Sequence, residues 1–526
     1  MILGTSPIVT TKEGPIQGFI NNGVAEFLGV PYAAPPVGNL RWMPPKNHAP
    51  WTTVLKATAY APTCAQVNEF GVFAGPANNN DDCLYLNVFT PNLSSSAKLP
   101  VIVWVHGGGN VDGESNDYDG SKLAADGKTV VVTINYRLGA LGWFAHPALD
   151  AEGHLFADYG LLDQQLVLKW VKRNIAEFGG DKNNVTLGGQ SAGSLDTEAN
   201  MVSPLAAGLF QRAIWESAIQ EPVPLAFAET LATNFGVAAG CGSGATPAVA
   251  KCLRKLTIAQ VLALQAPLTS SRVIGDGQIL PADYVKAFQS GTFNHVPVIS
   301  GTVHDEQNFG LAITEYFSGP PRVPFTAADY KPFVTSLFSG NAGPSGSPPA
   351  YPAGTVNKVL AQYPLSAYAT PQLAMDRVGT DGSSDFPCAQ RYINRLIASQ
   401  VPLYAYEFTE QTAPFYFPKM PGFQSLAYQN SDILYLFPLY HGGPDGIPHA
   451  LNNKQSDLSD QLVAAWTNFA WTGNPNGLGN SPWPRYRLEA DKSYYWCAST
   501  NLKGFDDSLS WRPQRRRRSW LRRKLS

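Results

Sequence analysis

Residues 188–193 read GGQSAG, with Gly189 and Gly193 two positions either side of Ser191. A serine hydroxyl becomes an effective nucleophile only when a base takes its proton. In "NVTLGGQSAGS" (184–194) a β-branched stretch runs straight into Gly-x-Ser-x-Gly. That is the context of a nucleophile elbow, a serine on a sharp strand-to-helix turn with glycines at ±2 relieving the crowding. Upstream, "HGGG" (106–109) ends an apolar run. Consecutive glycines leave backbone N–H groups unobstructed, and with the N–H of Ala192 they suit the oxyanion of a tetrahedral intermediate. A serine in an ordinary glycine-rich turn is the bland alternative, and the pairing of the two motifs weighs against it.

These motifs need strands to carry them. "LPVIVWVHGGG" (99–109), "TVVVTINYR" (129–137), "NVTLGGQS" (184–191), "VPVISGT" (296–302) and "PLYAYEF" (402–408) all read as buried strands. Between the second and third, "LLDQQLVLKWVKRNIAEFGG" (161–180) places Leu162, Leu166, Val167, Trp170, Val171 and Ile175 at helical spacing, with Gly179 as the stop. Strand, helix, strand predicts a crossover and a mostly parallel sheet. "PIVTTKEGPIQGFI" (7–20) reads as a hairpin around Glu13-Gly14, and 339–354 as a surface loop or hinge. The expected class is α/β.

Composition sets the bounds. The chain has 526 residues, 44% hydrophobic and 15% charged, enough for a large core. Length alone suggests about three domains at roughly 150 residues each. The net charge is −2, yet residues 511–526 hold eight basic and no acidic residues, leaving the remainder at −10. Nothing upstream supports nucleic-acid binding, so 506–526 reads as a disordered basic tail. No stretch is apolar and long enough to span a membrane. The start lacks a basic region followed by an apolar one, so no signal peptide is read there. The six cysteines contain no CxxC. Cys64 with Cys83, and Cys241 with Cys252, read as local disulfides, with Cys388 and Cys497 as a third pair. Disulfides imply an oxidising compartment, hence the secretory pathway or the extracellular space. The sequons at Asn92 and Asn184 are compatible with that.

At this point the chain resembles the type-B carboxylesterase/lipase family, which includes cholinesterases and fungal lipases. "FGGDKNNVTLGGQSAG" (178–193) is similar to its serine signature and "DDCLYLNV" (81–88) to its cysteine signature. Further similar segments are "PPVGNLRWMPP" (35–45), "NYRLGALGW" (135–143), "GLLDQ" (160–164), "FQRAIWESA" (210–218) and "WTNFAWTGNPN" (466–476), so the likeness spans about residues 8–500. It implies an α/β-hydrolase fold in one domain over 1–505, with long loops forming a gorge. It implies Ser191 as nucleophile, Gly108, Gly109 and Ala192 as oxyanion donors, the bridges Cys64–Cys83 and Cys241–Cys252, and an Arg137–Asp163 ion pair. In the order Ser…Glu…His, "VPVISGTVHDEQNFG" (296–310) supplies Glu306, with Asp305 as the alternative beside it.

The family's histidine precedes a motif that "AYQNSDILYLF" (427–437) matches through Asp432, Ile433, Tyr435, Leu436 and Phe437, and its position holds Gln429. An amide cannot serve as a general base. Of the eight histidines, only His441 and His449 follow in the right chain order, beyond the apolar "ILYLF". Asn110 stands where the family often has an aromatic residue, and is expected to line the pocket. The reading is therefore a carboxylic ester hydrolase of weak or absent turnover, acting on a small or natural-product ester. The alternative is an inactive cholinesterase-like binding or scaffold protein. A homodimer is left open, and no metal or organic cofactor is implied.

Overall fold

The computed structural model describes residues 6–488, apart from 74, 218–221, 267–272, 340–350, 383–386, 439, 444, 478–479 and 481. The proposed tail 506–526, Cys497 and most of the loop 339–354 lie outside the described residues.

Among the described residues, nine strands form the central sheet: β1 (Phe19–Asn21), β2 (Val24–Pro31), β3 (Tyr85–Thr90), β4 (Leu99–Val105), β5 (Val130–Ile134), β6 (Gly180–Gln190), β7 (Arg212–Glu216), β8 (Val298–Val303) and β9 (Leu403–Phe408). Their order is β9-β8-β7-β6-β4-β5-β3-β2-β1. From β9 to β5 all neighbours are parallel, and β3, β2 and β1 add an antiparallel edge. The five strands read from sequence are β4, β5, β6, β8 and β9. The N-terminal hairpin is present too, Ile8–Thr10 pairing antiparallel with Pro15–Gln17.

Side chains alternate across a strand, so each strand feeds two cores. Val101, Val103 and Val105 of β4 enter one, together with Leu161, Val167 and Trp170 of helix α1 (Tyr159–Asn174). Trp104 enters the other, together with Leu462, Val463 and Trp466 of helix α3 (Asn453–Thr472). Burial on both faces explains why β4 reads as an unbroken apolar run. Helix α1 continues into a 3-10 turn, Ile175–Phe178, which stops at Gly179 with φ 80°, a left-handed conformation natural to glycine.

Between described residues, the disulfides Cys64–Cys83 and Cys241–Cys252 form. Cys388 is buried. The bidentate pair also forms: Arg137 Nε and Nη2 donate to Asp163 Oδ2 and Oδ1 at 2.8 and 2.7 Å, and both residues are buried. No helix among the described residues is long and apolar enough to cross a membrane.

Candidate active site

The site sits where β6, β7 and β8 end side by side. Ser191 follows β6, and its N–H donates to the Glu216 carbonyl of β7 at 2.8 Å. Ser217 follows β7, and its N–H donates to the Gly301 carbonyl of β8 at 2.8 Å. Glu306 lies three residues beyond β8, where its Oε1 accepts the Val303 N–H at 2.9 Å. Parallel registry thus delivers Ser191, Ser217 and Glu306 to one edge.

Ser191 has φ 55° and ψ −122° and heads helix α2 (Ala192–Val202). That backbone is strained for a residue with a Cβ, at a cost of roughly 1–3 kcal/mol. The flanking glycines make the turn physically feasible. A Cβ on Gly193 would overlap the Val105 carbonyl, and one on Gly189 would overlap the Gly193 carbonyl. Ser191 remains half-buried, so its hydroxyl is reachable.

The glycine turn after β4 faces this serine. A Cβ on Gly107 would lie 3.2 Å from Ser191 Cβ. Gly108 and Gly109 have φ 107° and 61°, left-handed values that favour glycine. A side chain on Gly108 would overlap the Asp112 carbonyl, which folds back beneath it.

Gln429 also reaches the serine. Asp305 N–H donates to the Ala427 carbonyl at 2.9 Å, and Ala427 N–H donates to Asp305 Oδ2 at 3.2 Å. This zips the 427–429 segment to the turn that bears Glu306. Gln429 Nε2 donates to the Ser217 carbonyl at 3.1 Å and makes a long 3.4 Å contact to Ser191 Oγ. A backbone carbonyl only accepts, so it fixes which end of the amide faces inward. Ser191 therefore meets an N–H rather than a lone pair, the opposite of what a base would offer.

Glu306 is fully buried, and its Oε2 has no hydrogen-bond partner. Burial pushes its carboxyl well above the usual range, against the opposing pull of the Val303 N–H and the nearby Ser217 hydroxyl. Behind it, Glu216 accepts from Trp466 Nε1 at 2.6 Å and Asp432 from the Tyr406 hydroxyl at 3.2 Å. Burial raises Asp432 to about 6.

No histidine hydrogen-bonds Ser191 or Glu306 among the described residues. His106 bonds the Gly107 carbonyl and stacks on Tyr136, and burial holds it down at about 4. His304 pairs with Asp305, and His449 with the Phe415 carbonyl. His441 is half-buried, with Nδ1 unpartnered.

Asn110 corrects an expectation. It does not line a pocket but is fully buried, with its amide donating to Asp196 Oδ1 at 3.0 Å and accepting from the Tyr136 hydroxyl at 3.2 Å. Asp196 also accepts from Gln164. Burial raises Asp196 to about 7 despite both amides. A carboxyl whose pKa is higher folded than unfolded binds more protons in the folded state between the two values, so stability falls as pH rises through that interval. For Asp196 the interval runs from about 4 to about 7. Chemical denaturation at pH 5 and pH 8 is expected to give the lower midpoint at pH 8.

Ser217 escaped the sequence reading. Its only signal is that a small residue follows the strand inside "FQRAIWESA". The sequons differ from one another. Asn92 is exposed, whereas Asn184 is half-buried and bonded to Arg212.

The family described as "Carboxylesterase family" matches residues 5–510. The chain belongs to the carboxylesterase family. Among family members, Carboxylesterase 1C of Rattus norvegicus is 32% identical over 513 residues, covering 91% of this chain and 88% of the relative. The cocaine esterase of Homo sapiens is 31% identical, covering 92% and 87%. A solved PNB esterase shares 30% identity with a TM-score of 0.72, covering 92% of this chain and 94% of that one. The α/β-hydrolase fold expected from sequence is that of these esterases.

Proposed function

We propose that this family member is a serine carboxylic ester hydrolase whose general-base position is held by Gln429. Ser191 Oγ attacks the ester carbonyl, the carbonyl oxygen gathers charge against the N–H groups of Gly108, Gly109 and Ala192, and the alcohol leaves with a proton. Water then releases the acid. Glu306 is the acid that would orient an imidazole at position 429. The substrate is a small or natural-product ester.

The observation carrying this reading is the strained Ser191 between the glycine turn and the Gln429 amide. With an N–H in place of a base, turnover is slow. Losing the triad histidine costs roughly 10⁶ in turnover, so a typical ~10 s⁻¹ falls to the order of one turnover per day. Hydrolysis of p-nitrophenyl acetate by this chain is expected within about tenfold of its Ser191→Ala variant, since oxyanion-hole catalysis survives in both. A serine-dependent rate near 1 s⁻¹ would overturn the role given to Gln429.

The inward N–H of Gln429 also favours a second reading, a binding or scaffold protein that retains the elbow. Sustained ligand binding by both this chain and Ser191→Ala, with no turnover in either, distinguishes it. The reading includes one catalytic domain over 1–505 with a basic tail over 506–526, secretory location, and a glycan at Asn92, whose exposure supports it.

A further inference from the structure

The loop closed by Cys64–Cys83 grips the oxyanion turn from both sides. Gln66 of the loop donates from Nε2 to the Gly113 carbonyl at 3.1 Å and accepts the Gly113 N–H at 2.9 Å. Asp112 of the turn answers in the other direction. Its Oδ2 accepts the backbone N–H groups of Glu69 and Phe70 at 2.7 and 3.1 Å. Asp112 is fully buried, and its Oδ1 has no hydrogen-bond partner. A buried carboxylate is costly unless something fixes it there, and both N–H groups it holds lie in one two-residue stretch.

That stretch presents Phe70. Its ring lies 2.9 Å from where a Cβ on Gly109 would sit, so it stands directly against an oxyanion glycine. The residue is half-buried. Behind it, Phe73 and Phe309 have ring centroids 6.3 and 6.4 Å away, and Phe309 continues to Phe417 at 6.2 Å. The wall beside the oxyanion turn is therefore aromatic, and its first ring is placed by a carboxylate on the turn itself.

We propose that Asp112 is a positioning residue that clamps Glu69–Phe70 to the oxyanion turn, making Phe70 the residue that selects the shape of the ester group lying beside Gly109. This rests on reading Gly108 and Gly109 as oxyanion donors. Flat or unbranched groups pass along the Phe70 ring, and groups branched next to the carbonyl meet it.

The test has two arms, one of which needs no activity. In the full chain, hydrogen exchange of the segment containing Glu69 and Phe70 is compared for the parent, Asp112→Ala and Asp112→Asn. Asparagine keeps an accepting oxygen. Asp112→Ala is expected to speed exchange there about tenfold or more, and Asp112→Asn to retain most of the protection. Unchanged exchange in Asp112→Ala overturns the clamp. In the second arm, Gln429→His carries Asp112→Ala or Phe70→Ala, and p-nitrophenyl butyrate is compared with its α-branched isobutyrate. Both variants are expected to narrow the preference for the unbranched ester about tenfold, read as the ratio of kcat/KM on the two esters. An unchanged preference in Phe70→Ala overturns the selecting role, and it does so even if Asp112→Ala fails to fold. If Gln429→His hydrolyses neither ester, the hydrolase reading fails, and the exchange arm still decides the clamp.

Discussion

Gln429→His is expected to raise serine-dependent ester hydrolysis by on the order of 10⁴- to 10⁶-fold. Position 429 is held by the Asp305–Ala427 zipper, so its side chain starts from a fixed backbone. Gln429 already contacts Ser191 Oγ on one side, and the unpartnered Glu306 Oε2 is available for an imidazole N–H. An imidazole there would accept the serine proton through one nitrogen and donate to Glu306 through the other. It would also stabilise the ionised carboxylate, which burial now disfavours. Two controls accompany the measurement. Ser191→Ala in the Gln429→His background returns the rate to background. Glu306→Gln in the same background removes about 10⁴ of the gain, because the imidazole then loses its orienting carboxylate. A gain that survives Glu306→Gln would assign the acid elsewhere.

Asp163→Ala is expected to destabilise the fold by about 3–5 kcal/mol, read as a lower denaturation midpoint with an unchanged slope. Asp163 accepts the Arg137 N–H as well as two guanidinium N–H groups, and it is fully buried. Removing it strands a buried guanidinium whose remaining contacts are the Met43 and Tyr159 carbonyls and the Tyr159 ring, 5.3 Å from centroid to Cζ. Arg137→Met with Asp163→Leu removes both charges and is expected to recover most of the loss, since apolar replacement of a buried pair is often neutral. Equal losses in the single and double variants would mean the pair matters through shape rather than charge.

Legibility followed the range of the forces involved. Strands β4, β5, β6, β8 and β9 were readable because burial on two faces writes a continuous apolar run into each. Ser191 was readable because a strained turn packed against Val105 tolerates only glycine at ±2. Glu306 and Gln429 came from the family resemblance, since nothing local marks a carboxyl 115 positions from its serine as a partner. Ser217 went unnoticed because its position follows from strand registry, which only the assembled sheet reveals. Asn110 was misplaced for a related reason. Its side chain could point into the pocket or beneath the turn, and Asp196, 86 residues away, draws it beneath.

The central claim is that Ser191 lacks a base in this chain. The direct measurement is intact-protein mass after hours with a fluorophosphonate, which bonds only to an activated serine. Predicted is no adduct on this chain and one adduct on Gln429→His, lost again when Ser191→Ala is added. An adduct on Ser191 of this chain, formed as fast as on Gln429→His, would contradict the account and show that another residue already takes the proton.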